Sequence, residues 1–114
     1  MKTVVVKMKG EPKEGDLIII AYRGPRGGRT HAMHRVQYVG DIHGDTPRQL
    51  ETLADVTSSL VREITKTWMQ DCFEARVKDG GSTLVIQCQD MVSNVVFESQ
   101  IEGSDAVKIT IDEF

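Results

Sequence analysis

The sequence predicts an α+β domain. Its expected core is a mostly antiparallel sheet of about six to seven short strands in the order ββ-β-α-ββ-ββ, with one long amphipathic helix, or else a small sandwich. Three observations predict it. Short apolar or alternating segments occur near both ends of the chain; one stretch, 46–68, repeats its apolar residues every three or four positions; and glycines and prolines punctuate the rest. The 114 residues show no linker, repeat or low-complexity tract, so 1–114 reads as a single domain able to bury a core.

The elements follow in order. Thr3 to Lys9 reads as a strand with Val4, Val6 and Met8 on one face. Gly10 to Asp16 is turn chemistry, with Pro12 fixing φ and Gly15 permitting positive φ, and Leu17 to Tyr22 is a second strand. Together they predict a hairpin. Arg23 to His34 reads as a long loop because three glycines and Pro25 interrupt it. Arg35 to Val39 returns to strand. The helix is predicted from Thr46 as N-cap, Pro47 at the first helical position and Gln49 three residues past the cap. Leu50, Leu53, Ala54, Thr57, Leu60, Val61, Ile64 and Trp68 form its apolar stripe, with Glu51 and Ser59 among the residues outside it. Phe73 to Val77 and Leu84 to Cys88 form a predicted second hairpin around Gly80-Gly81, a pair suited to a type I′ turn. That register sets Val77 opposite Leu84, Ala75 opposite Ile86 and Phe73 opposite Cys88, all on one face. Asn94 to Glu98 and Ala106 to Ile111 are two further strands, split at Gly103-Ser104.

Composition narrows the function. A net charge of −3 disfavours nucleic acid as a partner through bulk charge. With 39% hydrophobic and 27% charged residues the chain is not of disordered composition. The longest apolar run, residues 17–21, is too short to span a bilayer, and the start is not a secretory signal, so no membrane association is expected. Cys72 and Cys88 cannot build a disulfide framework, fall on opposite sides of the hairpin and read as small buried hydrophobes.

Two patterns point to association. Residues 3–6, 17–21, 83–86 and 95–97 are apolar on both faces, whereas one helix covers only one face of a sheet. A second sheet, a long loop or another subunit must meet the other face, and assembly is the preferred expectation. Charge is also segregated. Arg23, Arg26, Arg29 and Arg35 lie in a window with no acid, while Glu98, Glu102, Asp105, Asp112 and Glu113 stand against Lys108 alone in the C-terminal segment. The arginines together with Glu102, Asp105, Asp112 and Glu113 are the candidate interface, pairing head to tail between copies.

The segment Gly40-Asp41-Ile42-His43-Gly44 resembles the first signature of the calcineurin-like metallophosphoesterases, in which Asp41 and His43 would bind one ion of a two-metal site. The family's later signatures have no counterpart, and His31, His34 and His43 all precede the helix. A strand-to-helix turn accounts for these glycines and aspartates. No nucleophile elbow, P-loop, GxGxxG or zinc spacing is present. The reading is therefore non-catalytic, with no metal and no cofactor; a metallophosphoesterase-like hydrolase using Asp41 and His43 is the alternative.

Taken in order, Val4–Val6, Gly10-Glu-Pro12-Lys-Glu-Gly15-Asp16, the strand at 17–22, Gly44-Asp45-Thr46 before the helix, and the Gly80-Gly81 hairpin are similar to a small module of tailed-bacteriophage virion proteins. The resemblance covers roughly residues 4–88 and departs from the module in its basic 23–35 segment and after residue 89. It implies a structural role in the tail, neck, collar or capsid. The partners would be further copies and other virion proteins, and the location the virion, assembled in the host cytoplasm. A small host-directed phage binding protein is a further alternative.

Overall fold

The computed structural model describes residues 1–40, 47–69 and 71–114. Its elements are β1 (Lys2–Gly10), β2 (Leu17–Arg23), β3 (Arg29–Arg35), β4 (Tyr38–Val39), β5 (Gln49–Leu50), α1 (Leu53–Thr67), β6 (Phe73–Lys78), β7 (Thr83–Cys88), β8 (Val96–Glu102) and β9 (Val107–Glu113). A four-stranded sheet runs β6-β7-β1-β9, a three-stranded sheet runs β3-β2-β8, and β4-β5 form a short ribbon; all pairings are antiparallel. The α+β class with antiparallel sheets and one helix holds, in its sandwich form.

Period-2 alternation explains how the sheets meet. Val4, Val6 and Met8 of β1 and Leu84, Ile86 and Cys88 of β7 are buried on one face. They share a core with Ile18, Ile20 and Ala32 of the smaller sheet. Helix α1 lies against β3 and β6 and adds Val56, Leu60 and Ile64. At one end Tyr22, Trp68 and Phe73 form an aromatic group, with centroids 4.7 Å apart for Tyr22–Trp68, 4.6 Å for Tyr22–Phe73 and 5.2 Å for Trp68–Phe73. Burial pushes the Cys88 thiol up in pKa, against a smaller opposing pull from the Lys2 charge, and both cysteines are free.

The hairpin at 73–88 has the predicted register, with Phe73 opposite Cys88, Ala75 opposite Ile86 and Val77 opposite Leu84. Both turn glycines have positive φ, 69° at Gly80 and 100° at Gly81, but Asp79 also turns left-handed at 55° and the ladder stops at Lys78–Thr83. Val77 is exposed, so its face is only partly core.

Several expectations are corrected. Strands β1 and β2 do not form a hairpin: β1 pairs with β7 and β9, β2 with β3 and β8, and residues 11–16 carry the chain between sheets. Burying the apolar faces of both strands on opposite sides of one core outweighs pairing them edge to edge. The expected loop at 23–34 is strand from Arg29, in register with the whole of β2; only 24–28 turn, with Gly24 N–H donating to Gly28 O at 2.8 Å. Ala32 alone is buried in β3, which left no apolar alternation to read. After Arg35 the predicted strand survives only at Tyr38–Val39.

The helix begins at Leu53. Thr46 lies outside the described residues, and the cap is Thr52, which exchanges hydrogen bonds with Asp55. Gln49 and Leu50 are held in the ladder with Val39 and Tyr38, and Glu51 N–H donates to Gln37 O at 3.1 Å, so the chain is committed to strand until Thr52. The last two strands run to Glu102 and Glu113 and sit in different sheets.

Of the doubly apolar segments, residues 17–21 are covered on both faces within the chain, whereas Val96 of 95–97 is 62% exposed. The second sheet and α1 cover one face; on the other, Ala21 lies in register between His31 and Glu98, and Ile19 between Met33 and Gln100, with Ala21 0% and Ile19 5% exposed. The apolar surface of residues 17–21 therefore needs no companion.

Candidate functional site

The outer face of the β3-β2-β8 sheet is built by alternation. Residues pointing away from the core align in four rows: Arg29–Arg23–Val96, His31–Ala21–Glu98, Met33–Ile19–Gln100 and Arg35–Leu17–Glu102. The β3 margin is basic, the β8 margin acidic, and the middle strand small or apolar. Met33 and Val96 are the exposed apolar members, at 40% and 62%.

Several predicted residues meet here, though not as expected. Arg29 Nε donates to Glu98 Oε1 at 2.6 Å and Arg23 reaches the same oxygen at 3.4 Å, so these arginines neutralise an acid of their own chain. The Arg29 hydrogen bond, with the positive charges beside it, holds the Glu98 carboxyl below its usual pKa range. Arg35 donates to Gly15 O at 2.9 Å and, across Leu17, shares a row with Glu102. Arg26 is exposed at the loop tip and Asp105 in the turn after β8. Asp112 lies on the outer face of the other sheet, and Glu113 pairs with Lys2 at 3.3 Å.

A second constellation escaped the sequence reading. His34 Nε2 is 2.8 Å from Glu51 Oε1, and Ser59 Oγ is 2.7 Å from His34 Nδ1. The same Glu51 oxygen accepts the Gln37 N–H at 2.9 Å. Glu51, expected outside the apolar stripe of a helix, is 7% exposed and precedes the helix. With Nε2–H donating to the carboxylate, Nδ1 is left to accept the Ser59 hydroxyl proton. The order is that of a serine–imidazole–carboxylate triad, but its setting is a packed joint. Ser59 lies inside α1, where backbone N–H groups are spent on helical bonds rather than aimed at an oxyanion. One concavity of about 420 Å³ is lined by Thr65, Phe73, Glu74, Ala75, Arg76, Val85 and Gln87, and a second by residues 10–13 and 50–53; neither includes Ser59 or His34. The three side chains tie β3, the root of the ribbon and α1 together. No sequence signal marks them, since 34, 51 and 59 share no motif spacing.

Asp41 and His43 lie outside the described residues, so the phosphoesterase-like segment is not placed. Among the described residues, no helix is long and apolar enough to cross a membrane. The arrangement defines a small two-sheet α+β sandwich with a charge-striped outer face. Comparison with family models, curated proteins and solved structures finds no match.

Proposed function

We propose that this protein is a non-catalytic structural component of a tailed-bacteriophage virion, in the tail, neck, collar or capsid-associated layers, working by association with its own copies and with other virion proteins. The resemblance of the sequence pattern along residues 4–88 to such a module supports the class. The charge-striped face of β3-β2-β8 carries the mechanism. A two-fold axis along the strands would lay the basic margin of one copy over the acidic margin of the other, bringing Arg35 over Glu102 twice. An axis across the strands would oppose like charges.

Magnitude decides how such a contact works. Three strands of seven residues cover a flat area of about 14 × 23 Å, well under the ~800 Å² per partner of a standard interface. Pairing through this face is therefore weak in isolation and gains strength when several contacts act together in a particle.

The test is sedimentation velocity over a wide concentration range at low salt. Reversible self-association is expected, weakened by Glu102→Arg and restored by Arg35→Glu with Glu102→Arg. A species that stays monomeric at every concentration, or association indifferent to both variants, removes the mechanism. Mass spectrometry of purified particles from the encoding phage tests the class, and absence of the chain from them removes it.

A further inference from the structure

The outer face of the larger sheet differs in kind from the striped one. Alternation along β1, β6 and β9 places Lys7, Lys9, Arg76, Lys78 and Lys108 on it, all exposed. Lys9 and Lys108 are direct cross-strand partners with Cα atoms about 5 Å apart, an arrangement of like charges that costs stability. Lys78, Thr83 and Lys7 form one row, with Lys9 one step further along β1. Among the described residues none of these five cations makes an ion pair; the acids in register with the face are Glu74 and Asp112, with Asp79 at its rim accepting the Thr83 hydroxyl at 3.3 Å. A chain of net charge −3 thus carries a positive face.

We infer that this face, centred on Lys7, Lys9 and Lys108, docks the phosphate backbone of duplex nucleic acid. A protein partner is the poorer fit, because protein interfaces concentrate energy in an apolar or aromatic centre, and here Val85 is buried and Val5 half-buried. A single strand is a poorer fit as well. Its bases need aromatic platforms, and Phe114, the aromatic in register with this face, sits beyond Asp112 at the far end from the lysines. A sheet about 19 Å across studded with cations suits sequence-independent contact with phosphates. This inference is independent of the proposed self-association.

Fluorescence anisotropy with a labelled DNA duplex of about 20 bp tests it. With about five phosphates neutralised, affinity should fall about 20-fold between ~50 and ~100 mM NaCl. Lys7→Gln with Lys9→Gln and Lys108→Gln should weaken binding at least ~10-fold at ~50 mM NaCl and flatten the salt dependence, and Arg76→Gln with Lys78→Gln should weaken it in the same direction. Arg23→Gln with Arg26→Gln should leave it unchanged. The triple variant should melt no lower than the parent, since it removes the Lys9–Lys108 repulsion. No duplex binding at ~50 mM NaCl, binding indifferent to the triple variant, or capture of a poly-glutamate peptide through these lysines in place of DNA would each overturn the inference.

Discussion

His34 Nε2 stands 2.8 Å from Glu51 Oε1, and through this contact a residue of β3 fixes the segment from which helix α1 starts. The carboxylate also takes the Gln37 N–H, so its removal strands two groups in a poorly solvated joint. Glu51→Ala should cost about 3 kcal/mol and Ser59→Ala about 1 kcal/mol. Because both act on His34, the double variant should lose less than the sum. Urea unfolding followed by circular dichroism checks this; a Glu51→Ala loss below ~0.5 kcal/mol would rule against the joint.

Asp16 joins two turns. It accepts Lys13 N–H at 3.0 Å, Ser104 N–H at 2.8 Å and the Ser104 hydroxyl at 2.8 Å. Burial pushes its pKa up, but these bonds and the Lys13 charge outweigh burial and hold it below the usual range. A depressed folded value means that stability is fully present above the unfolded pKa of about 3.9 and drains away as pH falls through the folded one. Asp16→Asn should therefore cost about 1–3 kcal/mol at neutral pH, with the gap to the parent closing below about pH 4. Denaturant melts across that range read the difference.

Gly81 and Gly80 occupy the same turn with different surroundings. A Cβ at Gly81 would lie 2.4 Å from Ala54 Cβ, whereas nothing stands within 4 Å of one at Gly80. The Thr57 hydroxyl donates to Gly81 O at 2.7 Å, pinning the turn to the helix. Gly80→Ala should cost about 1 kcal/mol from its positive φ alone, and Gly81→Ala over ~2 kcal/mol. Thermal melting distinguishes them, and equal effects would contradict the packing.

Trp68 is 2% exposed, and its indole Nε1 has no acceptor among the described residues. Trp68→Ala should cost about 3–5 kcal/mol. Trp68→Phe should cost much less, because losing an unpaired buried donor offsets part of the lost contact area. Unfolding free energies of the two variants decide it; equal losses would mean that Nε1 has a partner.

The alternation of Val4, Val6 and Met8 and the register of Phe73–Cys88 were legible because they depend on side chains two residues apart or on one short turn. The helix start was misread for a physical reason: the Pro47–Gln49 signal is local, and the ladder from Tyr38–Val39 overrides it. Strand β3 was missed because its buried face holds small or polar groups, Ala32 and the half-buried His34, rather than a run of apolar ones.

The sequence by itself determined which residues turn inward along β1, β7 and α1, since periodicity is a property of near neighbours. Tertiary structure alone decided which strands pair, brought His34, Ser59 and Glu51 within hydrogen-bond reach, turned Arg23 and Arg29 onto Glu98, and gathered Lys7, Lys9 and Lys108 on one face. Closing a long loop costs little more than closing a short one, so the burial of two sheets against each other, rather than proximity along the chain, selects those partners.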